Sequence, residues 1–205
     1  MSVWPMPGDG GSGQPRSLTI LLAALLMAGG VFLTGHGAWI HAKAVVAQIL
    51  LERAFARSVA TGLPARPWGW ADTWPVARIE APGLDSAAIA LKGVSGQALA
   101  FGPGHLENTP EAGEPGTAVY AAHRDTHFAF LRHLKENDII RITRRDGQVA
   151  TFRVTHMAVA RWDEAQIDPH APGRHLVLAT CYPFDAVAPG PLRYLVYADL
   201  AVHPR

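Results

Sequence analysis

The chain has a single cysteine, Cys181, which follows the apolar run HLVLAT and precedes Tyr182-Pro183-Phe184-Asp185. A thiol at a strand end, beside a proline-containing loop, is carried on a rigid element and faces an open rim. Tyr120-Ala121-Ala122 ends a second apolar run and leads into His123, and Arg193 begins the last such run. Three strand ends thus offer an imidazole, a thiol and a guanidinium, in the chain order His, Cys, Arg. The chemistry these types can do together is thiolate attack on a carbonyl. The imidazole moves protons and the permanently charged guanidinium steadies developing negative charge. With ordinary pKa values of about 8.5 and 6.5, about 3% of the thiol is thiolate at pH 7 and about a quarter of the imidazole is charged. Independent titration therefore leaves under about 1% of pairs active, and coupling or a nearby positive charge has to raise that fraction. The blander reading of a lone cysteine is a small buried hydrophobe. One cysteine also excludes an internal disulfide.

The elements that position these residues read as β structure. After Pro75 come short apolar or alternating runs: VARIEA, AIALKG, TAVYAA, DIIRIT, VATFRVTHMAVARW, HLVLAT and RYLVYADLAV, separated by turn residues. This spacing predicts a closed or sandwiched β domain. In the longest run Ala150, Phe152 and Val154 are expected to face one way and Val149, Thr151, Arg153 and Thr155 the other. FAFLRHL, residues 128–134, fits one or two helical turns, with Asp125 as its expected cap. Gly102-x-Gly104 reads as a turn, and His105, His156, His170 and His175 as surface or core residues.

The N-terminal third is different in kind. Residues 1–16 are rich in Gly, Pro and Ser and read as a disordered cytoplasmic leader. Leu18–Ile40 is 23 residues without Asp, Glu, Lys or Arg, and a helix of that length spans roughly 34 Å against about 30 Å of hydrocarbon. A transmembrane anchor is expected over 17–41, in preference to a signal peptide cleaved near Ala42-Lys43-Ala44. An amphipathic helix and linker follow over 42–67, with Ile40, Ala44, Ala47, Leu51 and Phe55 at helical spacing and Gly62, Pro64 and Pro67 breaking it. The domain proper is expected over 68–205, with Trp68, Trp70 and Trp74 as packing or interfacial residues. Single-pass insertion in the inner (cytoplasmic) membrane, with this domain on the periplasmic or other extracytoplasmic side, is the expected localisation.

The motifs resemble those of one family. LVLATC is similar to the TLxTC signature of sortases, with Leu178, Thr180 and Cys181 matching and Val177 where the first threonine is usual. AAHRDTHF resembles their catalytic-histidine segment, and Arg193 in LRYLV matches the family's arginine, 12 residues beyond the cysteine. DTWPVARI, ALAFGPGH and AHRDTHFAFL look most like the proteobacterial branch, the marine proteobacterial or class GN type. In that branch glycine is usual before the catalytic histidine; Ala122 stands there instead, a methyl expected to narrow the rim of the substrate site. The resemblance implies a mainly β fold, a closed eight-stranded sortase-type β-barrel with short helices, behind the N-terminal transmembrane and amphipathic helix. It implies transpeptidation by His123, Cys181 and Arg193, with Thr180 and Ala122 at the substrate. It also implies two partners: a secreted protein bearing a C-terminal sorting signal, and an amine acceptor. No cofactor is expected.

Rival readings fit less well. L,D-transpeptidases resemble one another in a glycine directly before the cysteine and an arginine two positions after it, where this chain has Thr180 and Pro183. A non-catalytic, membrane-tethered β domain would leave Cys181 merely buried. His123-x-x-x-His127 has metal-like spacing, but a strand end separates such side chains and no third ligand is visible, so no metal is expected. With 18 basic and 17 acidic residues and a net charge of +1, nothing points to nucleic acid.

Overall fold

The computed structural model describes residues 16–201. Residues 1–15 of the expected leader, and residues 202–205, lie outside the described residues. Helix α1 spans Arg16–Thr61. It contains no proline, and it stops where Gly62 takes φ +70° and returns its N–H to the Ser58 carbonyl at 2.8 Å, a left-handed cap that suits glycine. By length and composition the helix can cross a membrane. Leu26, Val31, Phe32 and Leu33 on it are all at least 70% exposed.

Compact units divide at Val45. The second, from Val46 onward, includes the last four turns of α1. Ala47, Leu51 and Phe55 follow at four-residue spacing and are buried, whereas Ile40 and Ala44 of the same expected stripe are exposed. Leu51 and Phe55 pack with Ile89, Leu91, Ala98, Trp68 and Phe101. Trp70 is exposed, and Trp74 lies under the Lys92 ammonium, 4.7 Å from the ring centre.

Eight strands form the barrel: β1 (Pro75–Ala81), β2 (Ser86–Lys92), β3 (Gly104–His105), β4 (Gly116–Ala122), β5 (Ile139–Arg144), β6 (Val149–Arg161), β7 (Arg174–Cys181) and β8 (Leu192–Leu200). The sheet closes in the order β1-β2-β3-β4-β7-β8-β6-β5. Inward side chains such as Ile79, Tyr120, Phe152, Leu176, Leu178 and Val196 fill it, with Phe128, Leu131 and Leu134 from the segment after β4 in the same core. That segment is a 3₁₀ turn, Ala129–His133, with no side-chain cap; Phe128 occupies the cap position, so the capping role expected of Asp125 is not what it does.

In β6, Ala150, Phe152 and Val154 are buried as the alternation predicts. A register shift between Val154 and His156 then resets the phase, so that Met157 is the next side chain against the core. At Gly102-x-Gly104, Gly102 bends the chain as it ends a short helix, Gly96–Phe101, and Gly104 opens β3. The glycines there serve close packing, since a Cβ on Gly104 would lie 2.2 Å from the Gly93 carbonyl oxygen and one on Gly102 2.3 Å from that of Ile89.

His175 has a partner that its sequence neighbours do not reveal. Nδ1 lies 2.6 Å from Asp199 Oδ1 and Nε2 lies 2.9 Å from the Pro172 carbonyl oxygen, so the imidazolium satisfies both acceptors. The Pro172 carbonyl, followed by the Asp199 carboxylate, raises its pKa. A raised folded-state value means that the stabilisation is complete below the unfolded value of about 6.5 and is lost as pH rises through the folded value. The drop in Tm caused by His175→Gln is therefore expected to be largest near pH 5.5 and to fade by about pH 8.5, above the ordinary histidine range. A drop that is flat across that window would show that the tie is not an ion pair.

Candidate active site

Strands β4 and β7 run parallel, in register from Gly116 opposite Arg174 to Ala122 opposite Thr180. Parallel pairing puts like ends together, so His123, next after β4, stands beside Cys181, the last residue of β7. Strand β8 runs antiparallel to β7, and its register sets Arg193 opposite Cys181. Adjacent strand backbones lie about 4.8 Å apart, so Cys181 has the end of β4, with His123 following it, on one side and Arg193 of β8 on the other. Alternation decides the face. Tyr120, Ala122, Leu176 and Leu178 point into the barrel, while Val119, Val177 and Leu195 cluster on its outside. His123, Cys181 and Arg193 lie an even number of residues from those outward side chains and so share the outer face.

A cleft of about 440 Å³ opens on that face, bordered by all three residues and walled by Leu99, Leu106, Val119, Trp162, Ile167 and Leu195. Its far wall is the β6–β7 loop, which Thr117 holds by donating from Oγ1 to the Asp168 carbonyl at 2.8 Å and from its N–H to that of Pro169 at 3.1 Å. Cys181 is half-buried and His123 exposed. Arg193 donates from Nη1 to the carbonyls of Gly190 at 2.8 Å and Leu192 at 2.9 Å, which fixes the side chain. Its Nε and Nη2 make no hydrogen bond among the described residues and remain available as donors. Together these parts set a thiol, an imidazole and a held guanidinium at the edge of an apolar trough.

Two expected substrate contacts sit differently. Thr180 alternates inward, is 2% exposed, and donates its hydroxyl to the Ala122 carbonyl at 2.8 Å, tying the β4 and β7 ends together. Ala122 is 7% exposed and, two residues after Tyr120, shares that side chain's inward face, and both it and Thr180 still border the cleft. Thr180→Val keeps the volume and loses the hydrogen bond. It is expected to cost about 1 kcal/mol in urea denaturation, with Thr180→Ser recovering most of it; an unchanged midpoint in Thr180→Val would show that the bond carries no weight.

His127 lies in the turn after His123. Burial, and then the charge of His123, lower its pKa below the ordinary histidine value. Among the described residues no group of three His, Cys, Asp or Glu is placed to hold a metal ion. The cleft walls are what the sequence reading missed; the one signal for them was the recurrence of Trp162, Ala165 and Ile167 in an otherwise polar loop.

Known proteins resemble this chain in sequence and fold. Sortase D of Bacillus subtilis (strain 168) is 29% identical over 119 residues, 58% of this chain and 60% of that protein, so the match spans less than two thirds of its length. Sortase A from Corynebacterium diphtheriae superposes with a TM-score of 0.59 at 27% identity, covering 66% of this chain and 64% of that one. A Clostridium perfringens Sortase D5 transpeptidase superposes at 0.62, covering 77% and 99%; at 19% identity it speaks to the fold alone. The family model described as Sortase domain matches residues 79–201, which hold seven complete strands and the last three residues of the first, together with His123, Cys181 and Arg193, and the chain belongs to the sortase family.

Proposed function

We propose that this chain is a membrane-anchored cysteine transpeptidase that acts on a secreted protein bearing a C-terminal sorting signal. The observation that carries the reading is the register itself: β4 parallel to β7, and β8 antiparallel to it, bring His123, Cys181 and Arg193 to one edge of one apolar cleft. The Cys181 thiolate attacks the scissile carbonyl carbon and a C–S bond forms. Arg193 Nε and Nη2 donate to the oxyanion. Protonated His123 gives its proton to the departing nitrogen, the C–N bond breaks, and a thioester remains. An incoming amine attacks that thioester, loses a proton to His123 and releases the thiolate, so one amide replaces another with no net redox change.

The apolar walls favour a signal with an apolar side chain upstream of the cut. The length and composition of helix α1 support the anchor, and the reading sets it in the inner membrane with the barrel on the periplasmic side. DTWPVARI, ALAFGPGH and AHRDTHFAFL support the proteobacterial branch. The test is a fluorogenic peptide library with and without added amines. Cleavage of a subset of sequences, with product shifting from free acid to amide as amine is added, is expected. Cleavage that yields only acid at every amine concentration would reduce the protein to a peptidase, and no cleavage of any sequence would remove the reading.

A further inference from the structure

Arg124, the residue after His123, reaches to the loop that joins β7 to β8. Its Nη2 donates to the carbonyls of Ala186 and Ala188, the latter at 3.2 Å. The same loop is held from its other end by Arg193, through Gly190 and Leu192, and by the Trp162 N–H, which donates to the Pro191 carbonyl at 2.9 Å. The loop begins immediately after Cys181, so whatever fixes it also fixes where the thiol's strand end lies. On the other side, the His123 turn is closed by the Phe128 N–H, which donates to the His123 carbonyl at 3.1 Å, and Phe128 is fully buried.

The β4–β7 ladder ends at Ala122 and Thr180. Beyond it no ladder contact sets His123 against Cys181, and Arg124 is the first side chain that bridges the two loops after that point. Its Nη1 is also buried, with no partner among the described residues. A buried donor without a partner detracts from stability, so the arrangement is better explained by what it positions than by what it stabilises. Resting on the transpeptidase reading above, we propose that Arg124 is a positioning residue. It clamps the His123 turn to the loop leaving Cys181 and so sets the separation of imidazole and thiol.

The test uses the full chain in detergent and measures the pH dependence of Cys181 alkylation by iodoacetamide in wild type, Arg124→Met, Arg124→Lys and His123→Ala. Arg124→Met is expected to shift to the His123→Ala profile. Its kcat on a cleaved library peptide should fall about tenfold to a hundredfold, the scale of a misplacement of about 1 Å, with KM nearly unchanged. Arg124→Lys, able to keep one carbonyl bond and free of the orphaned nitrogen, is expected to recover part of both. Amide hydrogen exchange over residues 182–191 should rise in Arg124→Met. A wild-type alkylation profile in Arg124→Met, while His123→Ala differs from wild type, overturns the clamp. If Arg124→Met does not fold, Arg124→Lys decides: raised exchange in the loop with a wild-type profile overturns it equally. Identical profiles in wild type and His123→Ala instead strike the pairing of His123 with Cys181, and with it the transpeptidase reading.

Discussion

Cys181→Ala is expected to lower peptide cleavage and amine transfer on the order of 10⁴-fold or more, the scale on which loss of a nucleophile acts. The fold should be untouched. Cys181 is half-buried at a strand end, and its side chain faces the cleft and not the barrel core, so removing the sulfur leaves no core cavity and Tm should hardly move. Cys181→Ser should be almost as inactive, because a hydroxyl beside an imidazole is a much weaker nucleophile than a thiolate unless a stronger base serves it. Retention of transfer in Cys181→Ala, with normal folding, would place the chemistry elsewhere in the cleft.

His123→Ala is expected to reduce kcat by about 10²- to 10⁴-fold, the range for a positioned acid–base group. Both halves of the reaction should suffer, because the same imidazole protonates the leaving nitrogen and deprotonates the incoming one. The thiol remains in His123→Ala, so a thioester should still accumulate slowly from an activated ester, whose leaving group needs no proton, while cleavage of an amide is lost. Added free imidazole should restore part of the amide reaction. Equal losses on ester and amide would mean that His123 does not serve the leaving group, and an unaffected amide reaction would assign proton transfer to another residue, with His127 the nearest imidazole in the turn.

Local features were legible along much of the chain where a period could be read. Alternation in β6 placed Ala150, Phe152 and Val154 inside, and four-residue spacing placed Leu51 and Phe55 on the buried face of α1. β3 is two residues long and has no period to read. Pairing was a different matter: runs of similar length and composition do not say that β4 lies parallel to β7, and that choice brings His123 to Cys181. The motif resemblance implied that the three residues act together, without saying which strands pair. Ala122 shows a legible feature passed over, because counting two residues on from Tyr120 turns its methyl toward the core even though the residue borders the cleft. The tie between His175 and Asp199 is 24 residues long in sequence and becomes visible only through the β7–β8 register. Arg124 carried no signal at all, since an arginine in a loop is ordinary and its acceptors are backbone carbonyls some sixty residues away.

The covalent step is where the account stands or falls. Full-length protein mixed with a peptide that the library shows to be cleaved, quenched in acid within the turnover time and weighed intact, is predicted to carry the mass of the peptide's acyl fragment. Proteolysis should map that fragment to Cys181, hydroxylamine should release it, and Cys181→Ala should never acquire it. A wild-type chain that cleaves the peptide yet stays unmodified at every quench time, or carries the fragment on a residue other than Cys181, would contradict the thioester mechanism.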